Sequence, residues 1–145
     1  MRWICGAIVG LWGCVPCDAS VCSDALWITL REPGGAALRD GEWTIALERD
    51  GEAASGTCVV AQAGHSIRCE GLPELYAPIY DDPDNPHTVL QLFDEGAPPQ
   101  HVVVRVHHDG VLVLDATFEP DYRLAQPERC DPDCVHASVT RVFER

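Results

Sequence analysis

Short β-type runs separated by turn-forming residues constrain this chain most strongly. Eleven prolines and twelve glycines punctuate its 145 residues, and no 3.6-residue apolar periodicity extends beyond two helical turns. The β-type runs cover residues 26–31, 42–49, 56–62, 65–70, 88–93, 101–107, 111–118 and 135–143. Seven or eight short antiparallel strands at this spacing predict an all-β chain folded as a single β-sandwich.

The hairpin around Ala63-Gly64 predicts its own register. If these two residues form the turn, Val60 faces Ile67 and Cys58 faces Cys69. Two residues directly opposite in a non-hydrogen-bonded pair bring their Cβ atoms within disulfide reach. The spacing therefore predicts a bridge between Cys58 and Cys69.

The hairpin around Asp109-Gly110 offers two registers. A two-residue turn sets Val104 opposite Asp115, which mixes apolar and polar faces. A three-residue loop with Gly110 left-handed pairs apolar residues with one another: Val106–Leu112, Val104–Leu114 and Val102–Ala116. We expect the second register, which leaves a polar face with His101, Arg105, His107 and Asp115, the last a diagonal neighbour of Arg105. The same alternation points Trp43, Ile45 and Leu47 inward.

The N-terminus has the outline of a secretory signal. Residues 1–12 carry one cation, Arg2, followed by an apolar run too short to span a bilayer as a stable helix. The stretch Leu11-Trp12-Gly13-Cys14 resembles a bacterial lipobox. That resemblance implies a signal peptide at 1–13, a lipidated Cys14 with palmitate-type acylation, a tether at 14–24 and a domain at 25–145. An ordinary signal cut after Ala19 is the alternative.

The cysteine count favours the first cut. It removes Cys5 and modifies Cys14, leaving six cysteines for three disulfides: Cys17, Cys22, Cys58, Cys69, Cys130 and Cys134. Cleavage after Ala19 would leave five. We expect Cys130 and Cys134 to close their own loop, whereas Cys17 and Cys22 either bridge each other or fasten the arm to the body. Zinc ligation by the closely spaced cysteines is the alternative to these bridges.

The charge of the chain excludes some partners. Its ten cations, all arginine, stand against 23 acidic residues, giving a formal net charge of −13. Such a charge repels the phosphates of nucleic acids and the headgroups of anionic lipids. We therefore expect no nucleic-acid partner, and membrane contact only through the lipid anchor.

Motifs for catalysis and cofactors are not found in this sequence. The serines lie in no nucleophile elbow, and there is neither an HExxH motif nor a phosphate loop. The acidic loop with Asp81, Asp82, Asp84 and Asn85 is a weak calcium candidate, since it lacks the glycine and the bidentate glutamate of an EF-hand. We expect no cofactor, no metal and no enzymatic activity, and we expect all six histidines on solvated faces or loops.

Several structural motifs resemble one group of proteins. They are Gly41-Glu42-Trp43-Thr44-Ile45, Asp50-Gly51, the pair Cys58 and Cys69, and the ending Cys130-x3-Cys134-x-His136-Ala137. The chain resembles small, mostly uncharacterised bacterial lipoproteins with an immunoglobulin-like or transthyretin-like β-sandwich. The resemblance implies an exported, surface-tethered domain and brings no catalytic residues. Val15 after the lipidated cysteine, where inner-membrane lipoproteins carry aspartate, favours the outer membrane.

Together these features predict a non-enzymatic cell-envelope lipoprotein that acts as a binding or structural module, with an envelope protein as candidate partner. Its expected working surface is the polar face around His101, Arg105, His107 and Asp115, or the loop at 81–94, because binding residues concentrate on surfaces held by a rigid scaffold. Two alternatives stay open: a calcium- or zinc-dependent accessory domain of a secreted system, and a soluble secreted or periplasmic domain without an anchor.

Overall fold

A computed structural model of the chain describes residues 23–64, 66–76, 87–124 and 134–144. Within these ranges ten strands form: β1 (Ala25–Arg31), β2 (Gly41–Arg49), β3 (Glu52–Ala61), β4 (Ser66–Glu70), β5 (Leu75–Tyr76), β6 (Val89–Glu95), β7 (Val102–His108), β8 (Val111–Phe118), β9 (Arg123–Leu124) and β10 (Val135–Val142). In the same ranges no helix is long and apolar enough to cross a membrane. The signal peptide, Cys14, Cys17, Cys22, Cys130 and the candidate calcium ligands Asp81, Asp82, Asp84 and Asn85 lie outside the described residues.

The strands form two five-stranded sheets. Sheet A has the order β5-β6-β1-β10-β9, and sheet B has the order β4-β3-β2-β7-β8. All neighbours are antiparallel except β1 and β10, which pair in parallel over seven positions from Ala25↔His136 to Arg31↔Val142. The all-β fold is confirmed, but the expectation of purely antiparallel pairing is wrong, because the alternation of side chains does not encode strand direction.

One apolar core lies between the sheets. Strand β1 contributes Leu26, Ile28 and Leu30, and strand β2 contributes Trp43, Ile45 and Leu47. Alternate residues of a strand point to opposite faces, so each of these triplets occupies every second position. The inward orientation predicted for Trp43, Ile45 and Leu47 is confirmed.

The hairpin of β3 and β4 has the register predicted from the sequence. Val60 pairs with Ile67, and Cys58 pairs with Cys69. The two cysteines form a disulfide with their Cα atoms 4.1 Å apart. Cys58 is fully buried, so the bridge joins this edge hairpin to the core.

The hairpin of β7 and β8 differs from the predicted one. Asp109 and Gly110 form a two-residue turn, with φ of 48° and 80°, and His108 pairs with Val111 across it. A β-bulge follows in β8: the turn alone would pair Val106 with Val113, and a one-residue shift in register pairs it with Leu114 instead. The bulge restores the apolar face that the turn alone would lose. The predicted three-residue loop is therefore wrong, as is the inward position of Leu112, which is 49% exposed, whereas Val106 and Leu114 do point inward.

The two ends of the sandwich are distinct. At the N-terminal end, where β1 begins, the Arg49 guanidinium at the end of β2 pairs with Asp94 of β6. At the far end the Trp43 ring lies 4.7 Å from the Phe143 ring. Each end therefore has its own contact between the two sheets.

Candidate functional site

The predicted polar face lies on the outer side of sheet B. Arg105 and Asp115 are direct cross-strand partners there, with Arg105 Nε 3.3 Å from Asp115 Oδ1. The bulge makes them direct rather than diagonal neighbours, which corrects the predicted geometry. Both side chains are about half exposed, at 49% and 51%, so the ion pair contributes little to stability.

The structure does not bring all four predicted residues together. His107 shares β7 with Arg105 and pairs with Thr44 and Leu112. His101 precedes β7 at the N-terminal end, where its backbone N–H donates to Asp50 Oδ1 at 2.8 Å. Six residues along a strand span about 20 Å, so His101 and His107 cannot hold one small ligand between them.

His108, for which the sequence predicted a solvated position, lies at the far end of the sandwich. The ring of His108 packs 4.5 Å from the ring of Trp43, and its Nε2 lies 2.8 Å from the carbonyl oxygen of Asp40. Its side chain is only 13% exposed. The expectation of a solvated position is wrong for His108, because the bulged hairpin folds it against Trp43.

The same end holds a buried carboxylate. Glu32 Oε1 accepts a hydrogen bond from Arg39 Nε at 2.7 Å, and the Arg39 guanidinium lies 5.3 Å from the Trp43 ring centre. Trp43 Nε1 donates to the Arg39 carbonyl oxygen at 3.0 Å. These contacts orient Trp43, and they give Glu32 the partner that a buried carboxylate requires.

A cleft of about 420 Å³ opens at the N-terminal end. It is lined by Arg49, Asp50, Glu52, Asp94, Ala97 and Pro99. Arg49 Nη1 donates to Glu74 Oε1 at 2.9 Å and to Asp94 Oδ1 at 2.7 Å. Burial alone would lower the pKa of the Arg49 guanidinium, but Asp94 and Glu74 outweigh it and raise that pKa. The cation is therefore permanently charged and already satisfied by two carboxylates.

The other polar groups near the cleft hold loops in place. Asp50 Oδ1 accepts the backbone N–H groups of Gln100 at 3.0 Å and His101 at 2.8 Å. The Tyr122 hydroxyl donates to the Pro99 carbonyl oxygen at 3.1 Å. Desolvation, together with the nearby carboxylates of Asp94 and Asp50, raises the pKa of Tyr122 to about 12. These hydrogen bonds fix the connection between β6 and β7.

Metal-binding geometry does not occur in the part of the chain that the structure describes. Across those residues no group of three or more histidine, cysteine or acidic side chains is arranged to hold an ion. Cys58 and Cys69 are consumed by their bridge, and Cys134 is also disulfide-bonded. The described cysteines are therefore structural.

The outer face of sheet A carries a patch that the sequence analysis missed. Trp27 is 37% exposed and pairs across strands with Phe93, their ring centres 4.2 Å apart. Around the two rings lie uncharged polar side chains of β1, β6 and β10: Thr29, Gln91, Ser138 and Thr140. The alternation of side chains in β1 could have indicated this patch, since Trp27 lies between the inward-pointing Leu26 and Ile28 and must therefore point outward. We call these six residues the Trp27 patch.

No protein-family model, curated protein or solved structure matches this chain. At the N-terminal cleft Arg49 is held by Glu74 and Asp94 and Asp50 by backbone N–H groups, and on sheet B Arg105 is paired with Asp115. The Trp27 patch instead leaves an aromatic ring exposed to solvent.

Proposed function

We propose that this chain is a non-enzymatic lipoprotein of the bacterial cell envelope, placed at the outer membrane by lipid on Cys14, and that its β-sandwich acts as a binding module. The proposal rests on the lipobox-like Leu11-Trp12-Gly13-Cys14 and on the resemblance to small envelope lipoproteins. The all-β fold with its Cys58–Cys69 bridge is consistent with export to an oxidising compartment.

The observation that carries the proposal is the way the chain enters the sandwich. The Asp24 carbonyl oxygen accepts the N–H of Gly96 at 3.2 Å, and Asp24 Oδ1 accepts the N–H of Val135 at 2.8 Å. Ser23 hydrogen-bonds Glu95 through its hydroxyl, and its carbonyl oxygen lies 3.0 Å from His136 Nε2. A tether that precedes Ser23 would thus join three segments of sheet A at one end.

Such an attachment suits an anchored display domain. Load on the tether would pass directly into β1, which lies between β6 and β10 in the middle of sheet A. Both outer sheet faces and the far end with Trp43 would remain accessible to partners. The fixed end and the accessible faces together favour a binding role.

The charged groups at the N-terminal cleft favour a non-catalytic role. Arg49 is held by two carboxylates, and Asp50 caps two backbone N–H groups. Each of these groups has a structural use that ties loops and sheets together. We therefore assign them to stability and place no reaction in the cleft.

The lipid anchor can be tested with a matched pair of cysteine variants. The protein is expressed in a bacterial host that processes lipoproteins, and the membrane and soluble fractions are separated. The Cys14→Ala variant should leave the membrane fraction, while Cys5→Ala, which changes a residue of the signal peptide, should stay with the wild type. Intact mass of the membrane-derived protein should correspond to a chain that starts at Cys14 and carries acyl groups.

The same mass measurement counts the bridges. Reduction of three disulfides adds about six hydrogens, since each bridge takes up two. A soluble wild-type chain that begins near Ser20 and has one free thiol would overturn the anchor. That outcome would favour the soluble secreted alternative and make the unpaired cysteine the leading functional residue.

A further inference from the structure

We propose that the Trp27 patch binds an uncharged glycan by stacking a sugar ring on the indole. The inference deepens the proposed binding function and rests on it. Trp27, Thr29, Gln91, Phe93, Ser138 and Thr140 form the patch on the outer face of sheet A.

The aromatic pair supplies a platform of fixed orientation. Trp27 and Phe93 are direct partners on β1 and β6, with ring centres 4.2 Å apart and planes inclined by 36°. Phe93 thus supports the indole from one side, while 37% of Trp27 remains in contact with solvent. A large aromatic ring held rigid and exposed has little conformational entropy to lose on binding, which favours it as a contact residue.

The surrounding side chains match the edge of a sugar. A pyranose ring has a face of C–H bonds that packs on an aromatic ring, and hydroxyl groups around its rim that donate and accept hydrogen bonds. Thr29 lies between Gln91 and Thr140 on the neighbouring strands, and Ser138 lies beside Trp27. Neighbouring strands are about 4.8 Å apart and residues two apart on one strand about 7 Å, so Ser138 lies next to the indole and the other polar groups lie one position further along the same face. Gln91 Nε2 donates to Thr29 Oγ1 at 3.5 Å, which holds these two side chains together.

The charge of the patch selects the class of ligand. None of its six residues is charged, in a chain with 33 Asp, Glu and Arg side chains and a net charge of −13. Among the described residues of β1, β6, β9 and β10, the charged and titratable side chains next to the patch lie at its edges: Glu95 and His136 beside Ala25, Arg31 at the other end, and the exposed Arg123 opposite His136. A cationic or anionic partner would gain no electrostatic complementarity here, whereas a neutral ligand meets no cost of desolvating a charge.

The outer face of sheet B provides the contrast. Its centre holds the Arg105–Asp115 ion pair, and the exposed Val59 has no aromatic neighbour on its paired residues Glu42 and Arg68. Among the described residues, that face has the Arg105–Asp115 pair at its centre and no exposed tryptophan or phenylalanine for stacking. The difference between the two faces assigns the glycan to sheet A.

The experiment uses the two tryptophans of the sandwich. The processed protein, purified from the bacterial host, is titrated with chitohexaose and, separately, with cellohexaose, while the indole N–H resonances of Trp27 and Trp43 are followed by NMR. Single Trp→Phe variants assign the resonances. The Trp43 indole, which donates to the Arg39 carbonyl oxygen inside the fold, is an internal control.

The proposal expects a saturable shift of the Trp27 resonance with at least one oligosaccharide and none for Trp43. Trp27→Ala should weaken binding by about tenfold or more, the effect of losing one stacked ring. Gln91→Ala should weaken it less, and Val59→Ala on sheet B should leave it unchanged. Gln91→Ala keeps the test valid if Trp27→Ala does not fold.

Two outcomes would overturn the proposal. One is a Trp27 resonance that moves with neither oligosaccharide. The other is a shift produced equally by an apolar probe such as 8-anilinonaphthalene-1-sulfonate, which would indicate a general apolar contact. Neither outcome touches the mass and fractionation results for Cys14, so failure of the glycan site is distinguishable from failure of the envelope assignment.

Discussion

The Arg49 ion pairs give the sharpest stability prediction, because an exposed pair in the same protein provides a matched control. Arg49 Nη1 joins sheet B to Asp94 of sheet A and to Glu74, and the three side chains are only 16–24% exposed. Arg49→Met keeps most of the aliphatic stem and removes the cation. Two carboxylates then remain close together, largely buried, without a positive charge.

The size of the effect follows from that burial. Removing one partner of a fully buried pair costs about 3–5 kcal/mol, because the charge left behind is neither solvated nor paired. The remaining exposure of Asp94 and Glu74 allows water to compensate in part, so we expect a loss of about 2–4 kcal/mol in the free energy of unfolding. For a domain of this size such a loss lowers Tm by roughly 10 °C.

Urea unfolding followed by circular dichroism measures the difference directly. Arg105→Met is the control, since Arg105 and Asp115 are half exposed and their pair should contribute less than about 1 kcal/mol. The midpoint should fall for Arg49→Met and barely change for Arg105→Met, with the slope m the same in both. Equal losses in the two variants would show that burial of the Arg49 cluster is not what stabilises the N-terminal end.

Three further predictions concern the covalent and packed parts of the fold. Replacing Cys58 and Cys69 together by alanine removes a bridge of sequence separation 11 and should cost about 3 kcal/mol in urea unfolding, whereas an unchanged midpoint would refute the role of the bridge. Gly56→Ala places a Cβ 2.5 Å from the Cβ of Leu72 and should lower stability by about 1–3 kcal/mol in thermal unfolding; a neutral result would mean that Leu72 shifts freely. Tyr122, with a pKa near 12 when folded and near 10 when unfolded, stabilises the fold fully below pH 10 and loses that contribution as pH rises from 10 to 12. Tyr122→Phe should flatten this part of the stability curve, and an unchanged slope would contradict the assignment.

Local patterns in the sequence predicted most of the strands. All eight β-type runs became strands, and the run at 111–118 coincides with β8. The alternation that placed Trp43 inward and the symmetric spacing that paired Cys58 with Cys69 are properties of a few neighbouring residues. Such properties can be deduced from the chain alone because the period of a strand is fixed at two residues.

Features that depend on distant or compensating residues could not be predicted in the same way. The two-residue strands β5 and β9 are too short to produce a pattern, and the parallel pairing of β1 with β10 joins the two ends of the domain. The bulge in β8 could not be predicted, because two arrangements place Val104 and Val106 on the inner face. One is the predicted three-residue loop, and the other is the observed two-residue turn followed by a bulge. Arg49 meets Glu74 and Asp94 across 25 and 45 residues, which no local motif encodes.

The two outer faces of the sandwich differ in how far their exposed groups are already paired within the protein. The sequence predicted the face with Arg105 and Asp115, or the loop at 81–94, because binding residues concentrate on exposed surfaces held by a rigid scaffold. In the structure Arg105 and Asp115 pair with each other across strands. On the Trp27 patch, the indole packs against Phe93 and remains partly exposed to solvent. The polar side chains of the patch carry no charge that would bind water strongly. A surface that is exposed, apolar at its centre and neutral at its rim gains free energy when a neutral ligand covers it, whereas a paired charged surface gains little. If a glycan binds this chain, the physical chemistry therefore places it on Trp27 rather than on Arg105.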